Sequence, residues 1–266
     1  MKKIFIAAMA ALTLCSCAQE EKTTLRLVHY NVGAFSKTAE SSTEVIANMM
    51  YEIGADVVSC NEVDSCTVRT GKVDQLAEMA QNLTKEEGVK WAHHYTAAMP
   101  YDGGAYGVGF CYKEELGTVK KDGVALPKLD GKEPRALSVV ELDKCIIATC
   151  HLDYKTAASQ MGQIAVINEY MDSNYKDSQK PIFIFGDFNC FPDSEPIAEM
   201  LKTWTLISHA ANTFPSHAPD RCIDFIFMRP QGKKVEVSKA VVPTEFETGN
   251  VATASDHLPV YVDVTF

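Results

Sequence analysis

Basic residues are scarce in this chain of 266 residues: 25 Lys and Arg stand against 35 Asp and Glu, a formal charge of −10. A surface that negative repels a phosphate polymer over a Debye length, which disfavours extended nucleic acid as a partner. Long apolar runs are also missing. Beyond the first sixteen or so residues none could cross a bilayer, so the body of the chain is expected to be soluble. No Cys-x-x-Cys pair and no Cys/His spacing of the zinc type occurs, and soft-metal chemistry has no support. No linker-like stretch divides the chain either. Asp122 to Pro134 is turn-rich, yet too short and interrupted to mark a boundary. What remains is ordinary globular composition, 46% apolar and 9% aromatic, in a length that one domain can bury without staples.

The first residues carry Lys2 and Lys3, an apolar stretch from Ile4 to Leu14, and then Cys15-Ser16-Cys17. A positive start, a core too short for a membrane span and a small-residue cleavage site make an export signal. Leu14 to Cys17 resembles a bacterial lipobox, with Cys17 as the lipidated residue. The expectation is a signal peptide over residues 1–17, a polar leash over 18–24 and one domain over 25–266. Acyl chains on Cys17 would anchor that domain to a membrane of the bacterial cell envelope; a soluble secreted protein cut nearby is the rival. Loss of the leader takes the charge to about −12. Seven cysteines follow Cys17, an odd number lying mostly in apolar strand-like runs, and they read as small buried hydrophobes.

Apolar periodicity places strands at Leu25–Tyr30 and Val57–Cys60, and helices at Thr43–Ile53, capped by Ser41 or Ser42, and Val73–Leu83. Strands follow near Trp91–Ala98, Gly107–Tyr112, Ala136–Leu142 and Cys145–Leu152. The order then recurs: a helix over Ser159–Tyr170, a strand at Ile182–Phe185, a short helix after Glu195, and strands at Cys222–Met228, Val235–Val241 and Pro259–Phe266. Two halves of similar layout imply two packed sheets with helices outside.

Polar residues gather at the ends of these strands: His29-Tyr30-Asn31, Asn61-Glu62-Val63-Asp64, His151-Leu152-Asp153, Gly186-Asp187-Phe188-Asn189, Ile223-Asp224 and Ser255-Asp256-His257. Any one is explained by a solvated turn or a helix cap. Six beside apolar strands point to one site. Glu62, Asn31 and Asp256 offer oxygen ligands, the set that suits Mg²⁺, with Mn²⁺ as a substitute. Such an ion neutralises phosphate oxygens and stabilises a leaving oxygen. His151 and His257 supply donors for charge on a phosphoryl group, and Asp224 is placed to orient His257. Asp187 and Asn189, two apart on a turn, can activate and place a water.

Gly-Asp-Phe-Asn at 186–189 followed by Pro192, and Ser-Asp-His-Leu-Pro at 255–259, resemble the endonuclease/exonuclease/phosphatase superfamily related to DNase I. The resemblance runs in order along the whole mature chain. It implies an α/β (α+β) fold, a four-layer α/β sandwich of two packed mixed or antiparallel sheets flanked by helices. It also implies the roles: Glu62 as the main metal ligand with Asn31 and Asp256, His151 on phosphate, Asp187 and Asn189 as the Asp-x-Asn pair, Asp224 with His257 as the oriented acid/base. Either Asp187 or His257 takes the proton from water.

One departure bears on the substrate. Nucleases of the DNase type resemble one another in an arginine two residues after the metal glutamate, and here Asp64 stands in that place. The stretch to Tyr112 looks instead like an exported bacterial subgroup named only as hydrolases. Weaker substrate contacts are Arg135, which either clamps a phosphate or pairs with Glu133, Tyr106 above a Gly103-Gly104 turn with positive φ, and Asp153. Arg69 is a lesser candidate still. The expectation is a Mg²⁺-dependent phosphoesterase cleaving a phosphodiester, phosphomonoester or phospholipid head group, a monomer acting on a small or lipid-borne ester. The alternatives are an extracellular nuclease using Lys120, Lys121, Lys128, Lys132 and Arg135 as a basic strip, and a surface binding protein that has lost catalysis.

Overall fold

The computed structural model describes residues 22–38 and 40–266. The leader, Cys17 and most of the leash lie outside the described residues. Among the described residues, twelve strands form two six-stranded sheets. The first contains β1 (Thr24–Asn31), β2 (Val57–Ser65), β3 (Trp91–Tyr101), β4 (Gly104–Lys113), β11 (Glu236–Val241) and β12 (Val260–Thr265), in the order β11-β12-β1-β2-β4-β3. The second contains β5 (Thr118–Leu126), β6 (Arg135–Leu142), β7 (Ile146–His151), β8 (Ile182–Asp187), β9 (Thr205–Leu206) and β10 (Asp224–Arg229), in the order β5-β6-β7-β8-β10-β9.

Period-two alternation sorts the side chains of each strand between two cores. Leu25 and Leu27 on β1 join Phe183 and Phe185 on β8 in the core between the sheets. Val28 and Tyr30 turn the other way, onto Ile46 and Met50 of α1 (Thr43–Glu52) and Leu76 and Leu83 of α2 (Gln75–Glu87). Ile182 and Ile184 likewise face Ile164 and Ile167 of α3 (Ala157–Tyr175) and Ile197 of α4 (Glu195–Met200). The result is helix, sheet, sheet, helix: the four-layer sandwich. Each main helix starts on a side-chain cap, Ser42 for α1, Asp74 for α2 and Thr156 for α3, and α2 stops where Gly88 turns left-handed at φ 73°.

The structure departs from expectation in places. Thr118–Leu126 is a strand, although part of it reads as turn-rich; it is an edge strand whose first four residues are all exposed and in which Leu126 alone is buried. α5 (Val251–Ala254), capped by Asn250, and β9 are too short to carry a period. Thr23 pairs through its backbone with Phe266 and Thr24 already belongs to β1, so the domain begins before residue 25. The β3–β4 turn takes positive φ at Asp102 and Gly103 rather than at Gly104. Tyr101 faces Gly104 across that two-residue turn, the Asp-Gly geometry of a tight hairpin. Gly104 is needed for another reason: a Cβ there would meet the Ser65 carbonyl at 2.3 Å.

Candidate active site

Strand direction assembles the site. β1 and β2 run parallel with Asn31 beside Asn61, and β7 and β8 run parallel with His151 beside Asp187. Parallel neighbours bring their carboxyl ends to one edge, where layered α/β proteins bind ligands. β10 runs antiparallel to β8 and starts there, with Asp224 opposite Asp187. The loop before β12 delivers Asp256 and His257 to the same edge. Two side chains need an unusual backbone. β2 bulges between Cys60 and Val63, putting Glu62 at φ 57°, and Asn189 sits at φ 51°. Left-handed conformations are unfavourable for such residues and persist where the surroundings enforce them; here both re-aim a polar group into the cleft.

A chain of buried polar groups holds the centre. His257 Nδ1 lies 2.8 Å from Asp224 Oδ2, which also accepts from Thr213 Oγ1, while His29 Nε2 lies 3.1 Å from the other Asp224 oxygen. His29 continues to Ser59 Oγ at 3.1 Å, Ser59 donates to Thr149 Oγ1 at 2.7 Å, and Asn61 donates to the same hydroxyl at 3.0 Å. Asn61 Oδ1 then accepts the Asp187 backbone N–H at 2.9 Å. The chain crosses between the sheets with its members satisfied, the condition under which a buried network rigidifies. Asp187 takes the Asn189 backbone N–H at 2.9 Å and the Asn31 amide at 3.1 Å, and lies 3.5 Å from His151 Nε2 and 3.6 Å from His257 Nε2.

These surroundings set the charges. Burial pushes the Asp224 carboxyl up, but His257 and His29 beside it hold it well below the usual carboxylate range. Burial opposes charge on His257, yet Asp224 and Asp187 outweigh it and raise the imidazolium to about 9. Asp187 is pushed up to about 7 by burial and by Asp224, against the pull of His257. Burial, with Arg135 and His257 adding repulsion, drives His151 well below its ordinary value. At neutral pH the site therefore holds a cationic His257 and a neutral His151.

Asp187, Asp224 and His257 lie close enough to suggest a metal cluster. Asp224, however, already commits both oxygens to His257, His29 and Thr213. The better cation position lies between Glu62 and Asp256. Lys37 Nζ sits there, 3.5 Å from Glu62 Oε2 and 3.1 Å from Asp256 Oδ2. Asp256 Oδ1 is buried without a hydrogen-bond partner. Two carboxylates around a cation, one with an orphaned oxygen, fit a hard divalent ion. Asn31, the third expected ligand, lies beside the Glu62 and Asp187 carboxylates. Its amide nitrogen donates to Glu62 at 3.2 Å and its oxygen accepts from Gly33 N at 3.2 Å. Lys37→Gln is expected to lower the Tm of chelator-treated protein by about 2–4 °C and to enlarge the rise on adding Mg²⁺. Equal Mg²⁺ shifts in both proteins would show that Lys37 and the cation do not compete.

A cleft of about 660 Å³ opens over these groups, bordered by Glu62, Asp256, His151, His257, Asp187 and Asn189. Tyr106 and Arg135 also line it. Arg135 is only 3% exposed, lies 3.7 Å from Glu133, and leaves its Nε without a partner; His151 Nδ1 is unpartnered too. Asp153 does not line it. That carboxylate is fully buried and accepts the backbone N–H groups of Lys132, Lys155 and Thr156, fixing a loop. Arg69 is also absent from this cleft, because Asp64 holds it in two hydrogen bonds of 2.6 and 2.8 Å. The basic strip is likewise broken up: Arg135 is buried, Lys120 pairs with Asp122, and Lys121 donates to the His93 carbonyl. Sequence reasoning missed Lys37, Arg221 and the exposed rings of Tyr154 and Phe191 on the rim.

A model described as the Endonuclease/Exonuclease/phosphatase family matches residues 28–257. No curated protein matches the chain. Among solved structures, the mannosyl-6-phosphatase Bt3783 of Bacteroides thetaiotaomicron VPI-5482 superposes with a TM-score of 0.73 at 20% identity, covering 91% of this chain and 100% of that one. An endonuclease/exonuclease/phosphatase family protein from Bacteroides thetaiotaomicron gives 0.72 at 18% identity, with 92% and 99% covered. The human Nocturnin catalytic domain with bound sulfate anion gives 0.66 at 14%, with 92% and 96% covered. At these identities the structures speak to fold alone; with the match along the chain, they place this protein in the Endonuclease/Exonuclease/phosphatase family, whose members are hydrolases of phosphoester bonds.

Proposed function

We propose that the protein is a Mg²⁺-dependent phosphoesterase that hydrolyses a small or lipid-borne phosphate ester outside the cytoplasm. One observation carries the reading. A single cleft sets an oxygen-donor pair, Glu62 and Asp256, beside nitrogen donors on Arg135, His151 and His257, two of which keep a buried nitrogen without a protein partner. Carboxylates with a hard cation face phosphate oxygens on one side, and guanidinium and imidazole groups complete their hydrogen bonds on the other. Glu62 and Asp256 would hold the ion, which would supply neutralisation of the phosphate oxygens and of the departing oxygen.

The chain's own groups do the rest. Asp187, poised near neutrality, accepts a proton from the attacking water, and Asn189 positions that water. His257, kept cationic by Asp224, donates to the phosphoryl oxygens as charge builds. The exposed rings of Tyr154 and Phe191 offer an apolar rim to the organic part of a substrate. The acidic surface and the dispersed basic residues favour a small ester over nucleic acid. The likeness in fold to a mannosyl-6-phosphatase makes sugar phosphates a sensible class to include. The export signal and the lipobox-like Cys17 support placement in the cell envelope.

The test is hydrolysis of bis-p-nitrophenyl phosphate and p-nitrophenyl phosphate side by side, with Mg²⁺, Mn²⁺ or chelator, using His257→Ala as the blank. Metal-dependent release of p-nitrophenol that disappears in the variant is the expected result. Release from neither ester by protein that binds Mg²⁺ counts against the reading.

A further inference from the structure

The cleft continues past Glu62. A second hollow of about 390 Å³ shares Glu62, Tyr106 and Glu133 with the first but contains none of Asp187, Asn189, His151 or His257. It therefore lies on the side of Glu62 away from the residues that activate water. Both volumes fall in the range of small-molecule sites.

Its wall is preorganised. The Arg69 guanidinium is fixed by Asp64, which is fully buried, and stacks 4.5 Å above the Tyr101 ring, with the Tyr106 ring 6.0 Å away. The two rings are 6.2 Å apart and tilted by 54°. Arg69 N donates to the Asp102 carboxylate at 2.6 Å and Lys72 Nζ to the Gly103 carbonyl at 2.9 Å, tying the loop after β2 to the β3–β4 turn. The Arg69 fork made by Nε and Nη2 is committed to Asp64, whose carboxylate offsets the guanidinium charge, and Nη1 lies 3.5 Å from the Tyr101 hydroxyl. Lys37 lies 3.5 Å from Glu62 and Glu133 lies 3.7 Å from Arg135, so the charged groups on this hollow each face an opposite charge. Aromatic faces with balanced charge suit a neutral ring bearing hydroxyl groups.

We infer that this second hollow, walled by Tyr101, Tyr106 and Arg69, is the leaving-group subsite and takes an uncharged, ring-bearing alcohol such as a sugar. The inference rests on the phosphoesterase reading. In an in-line displacement the water oxygen forms its bond to phosphorus from the Asp187 side, and its proton passes to Asp187. The ester P–O bond on the opposite side breaks, and the departing oxygen takes a proton from solvent. The freed alcohol is then in the second hollow, while the phosphoryl group and any second substituent stay in the first.

The experiment compares esters that differ only in the leaving alcohol: glucose 6-phosphate against ethyl phosphate, and the methyl diesters of the same two phosphates. Wild type is expected to favour the glucose ester in kcat/KM by about tenfold in at least one pair. Tyr101→Ala should lower kcat/KM for the glucose ester by about tenfold and for the ethyl ester by much less, erasing that preference, and Tyr101→Phe should restore it. Metal-dependent turnover of bis-p-nitrophenyl phosphate with no glucose preference in either pair overturns the subsite and leaves the phosphoesterase reading intact. So does a Tyr101→Ala loss that is equal for both alcohols. Absence of metal-dependent turnover with every one of these esters sinks the reading itself.

Discussion

Asp224→Asn is expected to lower kcat by about 10³- to 10⁴-fold with little change in KM, because the amide no longer sustains the imidazolium of His257. Asp224 touches His257, His29 and Thr213 and does not line the cleft, so it acts by positioning. Its signature is a pH effect. With Asp224 in place, His257 stays protonated to about 9, so the alkaline limb of the kcat/KM profile falls there. Without that carboxylate, the burial that opposes charge on His257 dominates and the limb moves to lower pH. Asn is isosteric and keeps an acceptor for Thr213, so circular dichroism and Tm should stay near wild type. A profile whose alkaline limb does not move, or a kcat within threefold of wild type, would refute this role.

Glu62→Gln should cost about 10²- to 10³-fold in kcat/KM and abolish the Mg²⁺-induced rise in Tm. The glutamate is one of two carboxylates around the Lys37 ammonium, and its neutral counterpart leaves Asp256 alone to hold a divalent ion. This variant also separates an enzyme from a surface binding protein, which would lose nothing at Glu62. Calorimetry of Mg²⁺ binding beside the kinetic assay decides. Unchanged metal affinity in Glu62→Gln would move the cation elsewhere, and the Asp187–Asp224–His257 group would need to be reconsidered.

Much of the fold was legible because its strands alternate and its helices begin on capping residues. The strand-end clusters around Asp187 and His257 were visible for a related reason: polar side chains next to apolar strands have no packing explanation. Local pattern failed at Thr118–Leu126, whose polar residues are solvated on an edge strand. It also failed where a partner comes from far along the chain. Ser59 and Thr149 look like ordinary strand residues, and only the closure of the sandwich shows them joining His29 to Asn61. Asp64 read as a lost arginine; the fold supplies Arg69 to it from the next loop. Lys37 carried no signal, since its carboxylates lie 25 and 219 residues away in sequence. Asp153 misled because a buried carboxylate that ties down a loop leaves the same trace as one that binds substrate.

The direction of β1 bears on what the enzyme can reach. The strand enters at Thr24, where the backbone of Thr23 is bonded to that of Phe266, and leaves at Asn31 beside the cleft. Its eight residues put roughly 26 Å between the chain ends and the site. A tether at Cys17 would have only the few residues before Thr23 to work with, a span of about 20 Å even when fully extended. Such a leash is shorter than the strand itself. With the anchored end towards the bilayer, the catalytic face would look away from it, towards dissolved esters or an opposing surface.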